Sequence, residues 1–209
     1  MKRPAKRLRV DFDVIEEWVA PQARILDLGC GDGTLLARLR ERKATVGYGV
    51  EISINNILTC IEKDVAVLQG DLDTGLRDFE DASVDFVVLS QTLQATRYPH
   101  YLLREMLRVG REAIVTFPNV GHWQARFQLG LGGRMPRTLA LPYSWYATPN
   151  IRLHTLQDFE ALCRREAIEI LERRVLDRRG HNGLLARLRP NLFGSTAMYR
   201  LQRGPGMTL

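Results

Sequence analysis

Short β-rich runs alternate with segments of helical periodicity along most of the chain, the pattern of a mainly parallel sheet covered on both faces. Phe12, Ile15, Trp18 and Val19 recur at helical spacing and predict an opening helix near residues 11–19, closed by Pro21. Arg24–Leu28 reads as a first strand, Gly29–Gly33 as a tight turn, and Thr34–Arg42 as a helix with Leu35, Leu36 and Leu39 on one face. Val46–Glu51 is a second strand, followed by a helix near Ile54–Glu62 and a third strand, Val65–Gln69. Val84–Ser90 carries the continuous apolar run Phe86–Leu89, as a strand buried on both faces requires. A helix near His100–Val109 directs Leu102, Leu103, Met106 and Leu107 toward the sheet, and Glu112–Phe117 is a fifth strand stopped by Pro118. A long insertion rich in aromatic residues, Gly and Pro runs from Asn119 to about Asn150. The helix Leu156–Arg165 follows, opened by Thr155 as N-cap with Asp158 in its first turn. Strands at Ile168–Asp177 and Thr196–Gln202 complete the count, with no internal repeats.

The candidate chemistry concentrates where the first strand meets its turn. Ile25–Gly33 has the form Asp-x-Gly-x-Gly-x-Gly, with Asp27 before the turn, Gly29, Gly31 and Gly33 inside it, and Cys30 between the first two glycines. The glycines let the backbone turn sharply and approach a ligand where any Cβ would collide. The spacing differs from the Gly-x-Gly-x-x-Gly fingerprint that seats a pyrophosphate on a helix N-terminus. Asp27 would repel phosphate but suits the amino-acid end of a cationic, phosphate-free ligand. Glu51 ends the second strand about where a ribose diol lies beside such a turn, and an ionised carboxylate accepts from both hydroxyls. Asp71 ends the third strand one position further along the rim, where it can accept from an adenine amine. The plainer reading is that strand ends are acidic because Asp and Glu cap the element that follows. That reading suffices for one such residue; three in order on successive strands, with the glycine turn, favour an adenosyl ligand. Ile52, Leu72 and Ser90 adjoin these strand ends and complete the candidate cofactor-binding set. Cys30 reads as a small packing residue, because nothing near it in sequence is an obvious base.

This arrangement resembles the class I S-adenosylmethionine-dependent methyltransferases, and the likeness extends to Met106–Gly110 before the fifth strand. The resemblance implies a Rossmann-like three-layer α/β/α sandwich with strand order 3-2-1-4-5-7-6 and the last strand antiparallel. It also implies S-adenosylmethionine or S-adenosylhomocysteine as ligand. A narrower likeness is carried by Val10–Trp18, Leu89–Thr96, Phe117–Trp123, Gly133–Pro136 and Leu141–Ile151. These stretches resemble the MetW family of methionine-biosynthesis proteins, from about Leu8 to Asp177. That resemblance implies a heteromeric partnership with a homoserine O-acyltransferase, which the protein supports or activates in the cytoplasm. The basic segment after Asp177 maps to nothing in the family pattern.

Composition changes this picture little. The chain has 209 residues, 45% hydrophobic and 26% charged, which fits one well-filled domain spanning 1–209. Its three cysteines, Cys30, Cys60 and Cys163, are scattered, which argues against a disulfide framework or a zinc site and for a reducing compartment. The basic start, with Lys2, Arg3, Lys6, Arg7 and Arg9, is not followed by an apolar region, so no signal peptide is expected. No apolar run approaches the roughly 20 residues needed to cross a bilayer. The net charge of +6 invites a nucleic-acid partner, but 26 of the 30 basic residues are Arg, spread along the chain among Asp and Glu. That spread describes solvated helix faces better than a nucleic-acid stripe.

Whether the chain is an enzyme is left open by its residues. Methyl transfer from a sulfonium needs little beyond alignment of donor and acceptor, which can supply about 7–11 kcal/mol, so the lack of a catalytic dyad decides nothing. Ser90-Gln91-Thr92-Leu93 stands where methyltransferases acting on amide or base nitrogens carry an Asn/Asp-Pro-Pro-aromatic loop. The insertion gathers His122, Trp123, Arg126, Phe127, Arg134, Tyr143, Trp145 and Tyr146. Aromatic and Arg residues anchor protein interfaces, yet the same set would also serve as a lid over a small acceptor or simply cover the sheet edge. His122 has the chemistry of a base, although a single loop histidine is more often a hydrogen-bonded structural residue. Two main readings result: a partner of the acyltransferase, and a small-molecule methyltransferase; an RNA methyltransferase is a weaker third.

Overall fold

The computed structural model describes residues 9–138, 141–177, 180–181 and 183–207. The basic residues Lys2, Arg3, Lys6 and Arg7 lie outside them. The chain runs α1 (Asp11–Trp18), β1 (Arg24–Leu28), α2 (Thr34–Lys43), β2 (Val46–Glu51), α3 (Ile54–Glu62), β3 (Val67–Gln69), β4 (Val84–Ser90), α4 (Pro99–Val109) and β5 (Gly110–Pro118). It continues with α5 (Trp123–Gly130), α6 (Leu156–Arg165), β6 (Ile168–Leu176), α7 (Leu184–Leu188), α8 (Pro190–Phe193) and β7 (Thr196–Arg203). Single 3-10 turns stand at Leu72–Thr74 and Leu93–Ala95.

The strands form one sheet in the order β3-β2-β1-β4-β5-β7-β6, the order expected. β1 is parallel to β2 and β4, whereas β7 is antiparallel to both β5 and β6. Successive side chains of a strand point to opposite faces, and the central strands are apolar on both. Leu26, Leu28, Val87, Leu89, Val115, Phe117 and Tyr199 pack with Leu102, Leu103 and Met106 of α4 and Phe159 of α6. Ile25, Phe86, Val88, Ile114 and Met198 pack on the other face with Ile15 and Trp18 of α1, Leu35 and Leu39 of α2, and Cys60 of α3. Burying each such side chain contributes about 1.5–3 kcal/mol, so the two apolar layers hold β1, β4 and β5 as the rigid centre. Among the described residues no helix is long and apolar enough to cross a membrane.

Several elements differ from expectation for identifiable reasons. β3 begins at Val67 rather than Val65, because Val65 N donates to Cys60 O (2.9 Å) and closes the end of α3. β5 extends to Pro118, its last paired residue, opposite Thr196 of β7. The insertion is not all loop: α5 forms in it, although Ala125 is the one buried residue of that helix, so no apolar stripe announces it. His122 Nδ1 caps α5 by accepting from Gln124 N (3.3 Å). The capping box of α6 is complete, with Asp158 N donating to Thr155 Oγ1 (3.2 Å) and Thr155 N to Asp158 Oδ2 (2.9 Å). The basic tail also folds, into α7 and α8. Asn119 ties it to the root of the insertion, donating from Nδ2 to Asn191 O (3.0 Å) and Gly194 O (2.8 Å) while Oδ1 accepts from Gly121 N (2.8 Å).

Where the insertion returns to α6, His154 lies against the Phe117 ring (centroids 4.4 Å apart) with Nε2 buried and unpartnered. Burial pushes its pKa down to about 4, while Asp158 opposes the shift. The unfolded chain therefore takes up this proton near pH 6.5 and the folded chain only near 4. Stability is lost as pH falls through that window, by on the order of 3 kcal/mol. Thermal melts of wild type and His154→Gln between pH 7 and 4 check this: the variant should lose this part of the acid sensitivity. Equal acid slopes would show that His154 is not held neutral.

Candidate functional site

The ends of β1, β2, β3 and β4 share one rim because these strands are parallel. The sheet order reverses direction between β1 and β4, and crevices form at such switch points. The turn after β1 folds over the end of β2, with Gly29 N and Cys30 N donating to Val50 O (2.8 and 3.2 Å). Gly29, Gly31 and Gly33 have φ of +68°, +57° and +71°, the left-handed region that glycine enters without strain. At Gly29 a Cβ would also meet Thr92 at 2.7 Å, so the turn and the loop after β4 are in direct contact.

Glu51 is 7% exposed and fully engaged by backbone. Its Oε2 accepts from Gly31 N (2.9 Å), and its Oε1 accepts from Ile52 N (3.0 Å) and Ser53 N (2.8 Å). Beside it opens a cleft of about 430 Å³ lined by Gly29, Glu51, Asp71, Leu72, Thr92 and Ile151, among others. Its volume falls in the range of small-molecule sites. Ile52 also faces it. Asp71 caps the 3-10 turn that follows, its Oδ1 accepting from Asp73 N (2.9 Å), so the capping explanation of its acidity holds for one oxygen.

Asp27 is 2% exposed, and its Oδ1 has no partner among the described residues. Burial pushes its pKa up to about 7; Arg9 opposes the shift and the carboxyls of Asp11 and Glu51 add to it. Ser90 is buried away from the cleft lining, in a cluster where its Oγ donates to Asp11 Oδ2 (2.8 Å) and lies 3.3 Å from Thr116 Oγ1. Gln91, the next residue, takes a left-handed backbone (φ +56°), held by N–H donation to Thr116 O (2.9 Å). Cys30 and Cys60, distant in sequence, stand with their sulfurs 4.0 Å apart, and burial raises both thiols far from the reactive range. Neither is an activated nucleophile.

The sequence profile of the family described as "Methionine biosynthesis protein MetW" matches residues 9–201. The chain belongs to the MetW family. A curated relative, the bifunctional methionine biosynthesis protein MetXA/MetW of Rhodopirellula baltica, is 40% identical over 164 residues. That match spans 74% of this chain and 26% of the relative, so the chain corresponds to about a quarter of that protein. Among solved structures, an S-adenosylmethionine dependent methyltransferase from Mesorhizobium loti superposes with a TM-score of 0.69 at 16% identity, covering 93% of this chain and 98% of that one. A SAM-dependent methyltransferase from Thermotoga maritima, described as a possible histamine N-methyltransferase, gives 0.64 at 18% identity, covering 93% and 87%. The fold is that of the class I methyltransferases.

Within this MetW-family chain the insertion divides into parts with different surroundings. Its exit touches the cleft: Ile151 N and Arg152 N both donate to Gln94 O (2.9 Å each), which lays Ile151 along the wall. His122 is buried at the root, and Arg126 donates from Nε to Gly121 O (2.6 Å). Trp123, Phe127 and Arg134 are exposed, as is Tyr143 at its margin. Trp145 and Tyr146 are 73% and 75% exposed and pack edge-on against each other, their centroids 5.6 Å apart. The structure thus brings Asp27, the glycine turn, Glu51, Asp71 and Leu72 to one rim, and leaves the aromatic residues of the insertion facing outward. Sequence reasoning missed Arg9, Asp11 and Thr116. The signal for Asp11 was present: it lies on the same helical stripe as Val14, Ile15 and Trp18, where a charge needs a partner.

Proposed function

We propose that this chain binds S-adenosylmethionine or S-adenosylhomocysteine at the rim of β1–β4, and acts in cytoplasmic methionine biosynthesis as a partner that supports or activates a homoserine O-acyltransferase. The ligand part of the reading rests on the buried carboxylate of Glu51 beside the glycine turn and cleft. There the ribose hydroxyls would take its remaining acceptor positions, with the adenine toward Asp71 and Leu72. Asp27 would receive the ligand's ammonium, a cation that suits a buried carboxyl with an unpartnered oxygen. The partner reading is supported by the Rhodopirellula baltica relative, whose MetW part is joined in one chain to MetXA, a homoserine O-acyltransferase. The outward aromatic residues of the insertion favour it further: Trp145 and Tyr146 are placed to anchor a protein, not to close over a small acceptor. The experiment that tests it titrates S-adenosylmethionine into the chain calorimetrically, alone and with purified acyltransferase, and measures the acyltransferase rate. Coupling must be reciprocal, so ligand affinity should change with the partner present and acyltransferase activity with the ligand. Methylated products with no effect on the acyltransferase would instead identify a separate methyltransferase.

Replacing Glu51 by Ala removes a charged acceptor, and each such bond lost weakens binding roughly 10- to 100-fold. Calorimetry with S-adenosylhomocysteine reads this directly; unchanged affinity would remove the ribose from Glu51. Asp27 adds a pH signature. Without ligand its folded pKa stands above the unfolded value of 3.8, so the folded state holds the extra proton between about 4 and 7. An ammonium against it favours the ionised form, so binding should release a proton near pH 6 and tighten as pH rises toward 7. Titrations in buffers of different ionisation enthalpy count that proton, and Asp27→Asn should release none.

A further inference from the structure

Behind the glycine turn lies a charged cluster that the turn and strand-end acids do not account for. Asp11, the first residue of α1, is 4% exposed. Its Oδ1 accepts from Arg9 Nε (3.0 Å), and its Oδ2 accepts from Arg9 Nη2 (2.9 Å) and Ser90 Oγ (2.8 Å). Arg9 Nη2 also donates to Ser90 Oγ (2.6 Å), and the guanidinium carbon lies 4.2 Å from the centre of the Phe12 ring. One edge of the guanidinium is thus held by a bidentate carboxylate and one face by an aromatic ring. Nη1 makes no hydrogen bond among the described residues, and the side chain is 38% exposed. The cation is fixed in orientation, with donors left over, and it lies close enough to Asp27 for the two charges to interact.

A held guanidinium with free donors, near a buried carboxyl with an unpartnered oxygen, is complementary to a zwitterion. We infer that Arg9 anchors the α-carboxylate of the ligand's amino-acid end, and that Asp11 and Ser90 are positioning residues that hold the guanidinium for it. The inference rests on the adenosyl reading proposed above. It assigns the two ends of the ligand to different parts of the chain: adenosine to β1–β3, the amino-acid carboxylate to the segment leading into α1. Because Asp11 and Ser90 already orient the guanidinium, little conformational freedom remains to be lost on binding. The site should therefore select adenosyl thioethers that carry the amino-acid end over those that lack it.

Calorimetric titration of S-adenosylhomocysteine, its carboxyl methyl ester and 5′-methylthioadenosine into wild type and Arg9→Gln tests this. The last compound keeps the adenosine and thioether but has no amino-acid end. Wild type should bind S-adenosylhomocysteine at least about 10-fold more tightly than either analogue. Arg9→Gln should lose roughly 10- to 100-fold for S-adenosylhomocysteine and stay within about two-fold for methylthioadenosine, which abolishes the selectivity. Arg9→Lys should recover part of it, since an ammonium keeps the charge without the fork. A purely structural Arg9, joining α1 to β4 through Ser90, would move both ligands alike, and that outcome overturns the inference. If Arg9→Gln does not fold, the ester decides on wild type alone: binding as tight as S-adenosylhomocysteine overturns the anchor. Wild type that binds none of the three overturns the adenosyl reading and the inference with it, whereas wild type that binds all three equally overturns the inference alone.

Discussion

A carboxylate buried at the end of a strand ties the functional rim together. Glu51 takes one hydrogen bond from the glycine turn after β1 and two from the backbone that opens α3. A buried carboxylate without such donors would cost several kcal/mol, so the shape of the turn and the direction of α3 are set by what Glu51 needs. Ser53, the N-cap residue of α3, makes no side-chain cap; Glu51 supplies the acceptor for Ser53 N instead. The positive φ angles of Gly29, Gly31 and Gly33 let the turn present Gly31 N to Glu51 while its carbonyls face elsewhere. The strands beneath comply through glycine as well. A Cβ at Gly49 would stand 2.2 Å from Cys30 Sγ, so β2 can lie under the turn only where that side chain is absent.

Charge is distributed in two different ways over this molecule. Most of the arginine excess that gives the net +6 is spread over helix faces, and many of these side chains are answered by carboxylates. Arg38 meets Asp13 and Glu16, Arg104 meets Glu166, Arg108 meets Glu105 and Asp81, and Arg174 meets Glu17 and Glu172. Exposed pairs of this kind are each worth about 0–1 kcal/mol and shape solubility more than fold. The rim is the reverse. Asp11, Asp27, Glu51 and Asp71 gather there with Arg9 beside them, in a setting where burial makes charge count. A basic protein with an acidic, partly buried rim is suited to a small cationic or zwitterionic ligand and poorly suited to phosphate.

The insertion combines a fixed root with an exposed tip. Its beginning is clamped by Asn119 to the tail helices, and its end is hydrogen-bonded through Ile151 and Arg152 to the loop after β4. Between these anchors Trp145 and Tyr146 stand in solvent as a pair. The exit shares Gln94 and Ile151 with the cleft wall, so whatever binds the tip is in mechanical contact with the ligand site through a few hydrogen bonds. That is the arrangement a ligand-responsive partner surface requires.

The fold was largely legible because its signals are local: two-sided apolar runs at Phe86–Leu89, the helical spacing of Leu102, Leu103, Met106 and Leu107, and the Thr155 cap each state their element within a few residues. The rim was legible for the same reason, since strand order brings strand ends together once the strands are known. The α5 helix was not, because a helix with one buried residue has no stripe to read. Nor was the folding of the basic tail, which depends on Asn119 some seventy positions earlier. Arg9 and Asp11 could not be assigned to the rim from their neighbours, because their partner Ser90 lies about eighty residues away. By itself, then, the sequence determined the strands, the glycine turn and the family, all encoded in short-range pattern. Only the tertiary structure decided which buried charges meet, because a carboxylate's partners depend on what packing brings within 3 Å and not on what is adjacent in the chain.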